Sequence, residues 1–150
     1  MAQTTEQRLQ ISRSFKAPRD RVFRAWTDPA ELKRWFRADP GYTVAIAEVD
    51  LRVGGRYRLG MKPPDSDPYV VGGVYREIRP PERLVFTWKW EWSKNGDPET
   101  LVTLDFHGRE GRTEVVLTHE RLPTEEERDK HEHGWIGCLD QLAAFLEEAR

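Results

Sequence analysis

The sequence predicts an α+β domain in which an antiparallel sheet carries one long C-terminal helix across a single face. Three observations support that reading. Leu84, Phe86, Trp88, Trp90 and Trp92 alternate with Val85, Thr87, Lys89 and Glu91. Successive strand residues point to opposite faces, so all five fall on one side. Each aromatic buries roughly 150–250 Å², and three tryptophans on a bare sheet approach or exceed the roughly 300–600 Å² patch that a monomer tolerates. That face needs a cover. The cover is supplied near the end of the chain, where Trp135, Leu139, Leu142, Leu146 and Ala149, joined by Cys138 and Phe145, recur with the 3.6-residue period of a helix. Finally, the apolar runs between about residues 42 and 120 are joined by short turns, as antiparallel strands are.

The elements follow in order. Leu9, Ile11 and Phe15 share a parity, giving a first strand over about residues 7–15. Pro18 suits the first turn of a helix that carries Val22, Phe23 and Trp26. Thr27-Asp28-Pro29 ends that helix and starts a second, because the residue before proline disfavours the helical region. Leu32, Trp35 and Phe36 share a face of the second helix. A strand follows with Tyr42, Val44 and Ile46 on one side and Thr43, Ala45 and Ala47 on the other. Val53-Gly54-Gly55-Arg56 turns the chain into a strand carrying Tyr57 and Leu59, and Met61–Pro68 reads as an exposed loop. Tyr69–Ile78 is a strand in which Gly72 and Gly73 mark a bulge or bend. Pro80-Pro81 leads into the tryptophan strand, and Asn95-Gly96-Asp97-Pro98 is a hairpin turn. Val102, Leu104 and Phe106, then Val115, Leu117 and His119, mark two further strands about a turn at Gly108–Gly111. Thr124 and Glu127 have capping-box spacing at the start of the long helix.

Composition narrows the function. A chain of 150 residues suits one domain, 1–150, with residues 1–6 a loose tail. Twenty-four basic and 26 acidic residues give a net charge of −2, which makes no electrostatic case for nucleic acid or an anionic membrane. No run approaches the roughly 18 apolar residues of a membrane helix, so no membrane insertion is expected. The opening MAQTTEQRLQ has no signal-peptide core, and Cys138 is the single cysteine. A cytoplasmic protein, monomer or homodimer, is expected.

The run Phe15-Lys16-Ala17-Pro18, Val22-Phe23, Ala25-Trp26-Thr27-Asp28-Pro29, Leu32 and Trp35 resembles the opening of the START-like (SRPBCC) superfamily. More narrowly, it is similar to the branch related to the C-terminal domain of the activator of Hsp90 ATPase. Gly54-Gly55-Arg56-Tyr57, Gly73–Ile78, Pro81–Trp88 and Gly134-Trp135 carry the same resemblance, which extends from about residue 8 to 148. The resemblance implies a helix-grip (START-like or Bet v 1-like) fold, with a curved antiparallel sheet wrapped around the C-terminal helix and a cavity between them. Lipid and hormone binding, polyketide cyclisation and co-chaperone action all occur in this superfamily, and the fold does not choose among them.

The leading expectation is a hydrophobic or aromatic small molecule bound between sheet and helix. Trp88, Trp90, Phe106, Leu117, His119, Trp135, Leu139 and Leu142 would line that site, with His119 or Tyr75 orienting one polar group. The same residues equally serve as ordinary core, and Trp92, nearest the turn, is the most exposed of the ladder. A lone histidine such as His119 is commonly a hydrogen-bonded structural residue. A stress-related co-chaperone bound to an Hsp90-type ATPase is the second reading. An enzyme such as a cyclase or hydrolase is the third, although no nucleophile–base–orienter set is complete. No cofactor is expected. His131 and His133 lie two apart on a helix and point roughly 200° from one another, so they do not chelate one metal ion. Cys138 reads as a small hydrophobe within the helix stripe.

Overall fold

The computed structural model describes residues 6–91 and 99–148. Trp92, the Asn95–Pro98 turn and Ala149 lie outside the described residues. Strand β1 (Gln7–Phe15) leads into helices α1 (Arg19–Thr27) and α2 (Pro29–Trp35). Six strands follow: β2 (Thr43–Val49), β3 (Arg56–Lys62), β4 (Tyr69–Arg79), β5 (Arg83–Trp90), β6 (Thr100–Arg109) and β7 (Arg112–Leu122). Helix α3 (Glu125–Glu148) ends the described chain. The strands form one curved antiparallel sheet in the order β1-β7-β6-β5-β4-β3-β2. Because β1 and β2 are its opposite edges, α1 and α2 must cross the full width of the sheet between them.

Local chemistry sets these boundaries. Thr113 Oγ1 donates to Ala17 O at 2.7 Å and holds the entry to α1. Asp28 ends α1 and caps α2, its carboxylate accepting from Ala30 N at 2.9 Å beside Pro29 at the first helical position. Thr124 Oγ1 accepts from Glu127 N at 3.1 Å and caps α3. Between β6 and β7, Glu110 and Gly111 both take positive φ, the two-residue hairpin geometry that matches strand twist.

Two sequence expectations change. The pairing of β2 with β3 shifts register between Val44 and Ile46. The resulting bulge moves the inward parity, so Ala47 and Val49 pack on the core with Tyr42, and Ile46 does not. Met61 and Lys62 belong to β3 rather than to the following loop, and Met61 is buried in the core. The expected irregularity in β4 is present as a pinch: a Cβ on Gly73 would lie 2.0 Å from Thr87 O. The spared space lets Tyr57 Oη donate to Thr87 O and Val74 N donate to Thr87 Oγ1.

The core lies between the sheet and the helices. Trp35, Trp26, Trp135 and Trp88 form a continuous aromatic chain with ring separations of 4.8, 6.0 and 4.9 Å. Phe23 of α1 meets Phe106 of β6 at 5.2 Å. Phe145 near the end of α3 is flanked by the guanidiniums of Arg21 and Arg34. Helix α3 passes close to the segment after α2 at Gly137, where a Cβ would lie 1.9 Å from Ala38 O.

Two glycines three residues apart on α3 are therefore expected to respond oppositely to the same substitution. Gly137→Ala has no room and should destabilise by about 1–3 kcal/mol. Gly134→Ala meets nothing within 4 Å and should stabilise by about 1 kcal/mol through helix propensity. Urea midpoints of the two variants check the pair, and the same sign in both would contradict the described position of α3.

Candidate functional site

Contact between α3 and the sheet is uneven. At Trp135 the helix packs directly on Trp88. Toward the helix start, beside His131 and Gly134, a cavity of about 250 Å³ opens between helix and sheet. Trp88 and Trp90 of β5, Met61 of β3 and Tyr69 of β4 contribute the sheet wall. Ala38 and Tyr42, between α2 and β2, close one side, and Tyr42 and Tyr69 meet edge-to-face at 6.4 Å. From α3 come Trp135 and Cys138, with Lys130 and Glu127 about one and two turns nearer the helix start. Burial pushes the Cys138 thiol up to about 12, so it is a neutral apolar wall group and not a nucleophile.

Behind this wall runs a polar chain inside the core. Trp135 Nε1–H donates to His119 Nδ1 at 3.0 Å. His119 therefore carries its proton on Nε2, which faces Thr100 Oγ1 at 2.8 Å, and that hydroxyl donates to Trp88 O at 2.9 Å. A second, parallel chain joins Trp90 Nε1–H to His131 Nε2 at 3.0 Å and His131 Nδ1 to Glu127 O at 2.7 Å. A carbonyl oxygen only accepts, so Nδ1 bears the proton and Nε2 is the free acceptor. The two imidazoles lie 5.0 Å apart, and each uses both nitrogens. His119 has no exposed surface, and burial, aided by neighbouring His131, holds its pKa well below the ordinary histidine value.

Two indoles do not share this provision. Trp26 Nε1 and Trp88 Nε1 are buried without a hydrogen-bond partner. Each such donor costs about 1–3 kcal/mol when nothing accepts from it. Trp88 is one of the two, and it forms part of the cavity wall.

Of the residues predicted from sequence, the structure brings Trp88, Trp90 and Trp135 to the cavity. Phe106, Leu117, Leu139 and Leu142 lie in the packed core away from it. His119 sits behind Trp135 rather than at the wall, and Tyr75 borders a separate crevice of about 10 Å³ with Trp26 and Leu84. Sequence reasoning missed Tyr42, Met61, Tyr69 and Ala38 as wall residues. His131 lies four residues before Trp135 and shares its helix face, yet its bond to Trp90 has no sequence signal. Among the described residues, no three His, Cys, Asp or Glu side chains form a group able to hold a metal ion. No helix among them is long and apolar enough to cross a membrane.

A curved antiparallel sheet gripping a long C-terminal helix around an apolar cavity defines a START-like protein. Within that class, residues 16–147 match the model of the Activator of Hsp90 ATPase homolog 1-like protein family, and the chain belongs to that family. Its structure is similar to that of an AHSA1 protein from Silicibacter pomeroyi, with 27% identity, a TM-score of 0.83, and 96% of this chain and 100% of that chain covered. Protein CV1439 from Chromobacterium violaceum is also similar, at 28% identity and a TM-score of 0.82, with coverages of 93% and 96%. CalU16 from Micromonospora echinospora aligns at 28% identity and a TM-score of 0.71, over 93% of this chain and 76% of that chain. No curated protein matches the chain.

The lowered pKa of His119 fixes the sign of a pH effect. Native His119 stays neutral, whereas in the unfolded chain it takes up a proton near the ordinary value of about 6.5. Its contribution to stability is thus full above about pH 6.5 and is lost as pH falls below it, by up to about 1.4 kcal/mol per pH unit. Urea midpoints measured from pH 7.5 down to 5 should fall more steeply for the wild type than for His119→Gln. Equal slopes would show that His119 does not change protonation on unfolding.

Proposed function

We propose that this protein binds a small apolar aromatic molecule in the cavity between the sheet and the first half of α3. The supporting observation is the 250 Å³ of space walled by Trp88, Trp90, Trp135, Tyr42 and Met61. An apolar cavity of roughly 150 Å³ takes up benzene, so this one suits one or two fused rings. Burying about 250 Å² of apolar ligand surface at about 25 cal/mol per Å² gives about 6 kcal/mol, which corresponds to a Kd of roughly 10–100 µM. Acid–base chemistry at His119 has no support in this reading, since Trp135 and Thr100 occupy both of its nitrogens. A reducing, cytoplasmic setting suits the single free thiol.

A second reading is a protein partner, an Hsp90-type ATPase acting in stress-related work. Its support is the family description alone. ATPase stimulation by an equimolar amount of this protein would favour it, and no effect at a large excess would count against it.

The small-molecule reading is tested with naphthalene and tryptophan fluorescence. Saturable quenching is expected for the wild type. Gly134→Leu projects into the open space at Gly134 and should abolish the quenching while leaving the fold intact. Quenching that persists unchanged in that variant, or is absent in the wild type, would overturn the assignment.

A further inference from the structure

One hydrogen bond across the cavity wall depends on the charge of a histidine. Trp90 Nε1–H of β5 donates to His131 Nε2 of α3 at 3.0 Å, and both residues line the cavity. On its other side His131 Nδ1–H donates to Glu127 O at 2.7 Å, one turn earlier in the helix. The bond to Glu127 needs an N–H, which the ring keeps in either charge state, so it holds the imidazole to α3. The bond from Trp90 needs a bare Nε2. A histidinium carries a proton on both nitrogens, so two donors would then face each other across the wall. The Trp90 side must yield. Trp90 is half-buried and has solvent to turn into, whereas Trp88 and Trp135 are buried. Histidine is the side chain whose charge ordinarily changes between pH 5 and 8.

The groups around His131 leave this change to His131 itself. From β7, His119 lies 5.0 Å away, but Trp135 and Thr100 occupy both of its nitrogens. Burial, aided by neighbouring His131, holds the His119 pKa well below the ordinary value, so that ring stays neutral. From β5, Trp88 meets the His131 ring at 6.4 Å and carries no charge. On α3 the nearby charges oppose one another, Lys130 Nζ lying 3.8 Å from Glu127 and 3.2 Å from Glu126. Tyr42 before β2, Tyr69 of β4 and Cys138 are the other titratable wall groups, and phenols and thiols gain no charge on acidification. We propose that His131 is a latch that acidification opens: the protonated ring releases Trp90 from α3, the cavity loses that part of its wall, and a bound apolar molecule is discharged. The discharge rests on the small-molecule reading of the cavity; the movement of Trp90 does not.

The two parts are tested separately on the full chain. In ligand-free protein carrying ¹⁵N-labelled tryptophan, the Trp90 indole N–H resonance, assigned with Trp90→Phe, should move upfield between pH 7.5 and 5. The Trp135 indole N–H, bonded to neutral His119, should stay in place and serves as the internal reference. In His131→Gln, whose amide offers Trp90 an acceptor that does not titrate, neither resonance should move. Naphthalene titrated by tryptophan fluorescence should bind the wild type about tenfold more weakly at pH 5 than at pH 7.5, the loss expected when about 55 Å² of apolar contact goes. His131→Gln should show the same naphthalene affinity at both pH values. A Trp90 resonance unmoved by acid, or one that moves together with Trp135, overturns the latch and leaves the small-molecule reading intact. A pH response that persists in His131→Gln also overturns it. A moving Trp90 with unchanged naphthalene affinity overturns the discharge. If naphthalene binds at neither pH, the small-molecule reading falls and the discharge falls with it.

Discussion

The spacing between α3 and the sheet is set by the contact of Trp135 with Trp88, two rings tilted at 46° with centroids 4.9 Å apart, and the rest of the structure adjusts to it. Two large rings in contact hold the helix axis away from the strands, while Gly137 lets the same helix press against Ala38 on its flank. Toward its C-terminal end, smaller side chains such as Leu139 and Leu142 fill the remaining space and the core is packed. Toward its start, Gly134 contributes no side chain, and the separation imposed by the tryptophans is left as a cavity. A glycine where the stripe would otherwise continue is thus the local cause of the open space.

The histidines act as acceptors for indoles. An indole N–H buried in a core must find a partner, and a neutral imidazole supplies one without bringing a charge into an apolar region. His119 and His131 do this for Trp135 and Trp90, and they tie α3 to β5, β6 and β7 through side chains rather than backbone. The consequence is a helix fixed in rotation as well as in distance, so that Trp135 and His131 keep one orientation toward the cavity. Trp88, in the middle of this group, is the indole left without such a partner.

Most of the architecture was legible in the sequence because it follows from periodicity. The alternation through Leu84–Trp90, the helical stripe through Trp135–Leu146 and the Asp28-Pro29 break each state one element with little ambiguity. The parity of β2 was not legible, because a single extra residue at a bulge reverses faces without a compositional mark. The cavity was half legible. Trp88, Trp90 and Trp135 belong to the two facing stripes, whereas Tyr42, Met61 and Tyr69 come from separate segments that no periodicity links to α3. Phe106, Leu117 and His119 are buried on the core side of the sheet, but sequence facing alone does not tell the stretch where helix and sheet touch from the stretch where they part.

Everything functional here depends on an apolar space between the start of α3 and the sheet. Xenon enters such spaces without needing polar partners, so a crystal structure under xenon pressure is the most direct measurement. Xenon density bounded by Trp88, Trp90, Trp135 and Met61 is expected. Rings of Trp90 and Tyr42 collapsed into that volume, with no xenon between helix and sheet, would contradict it.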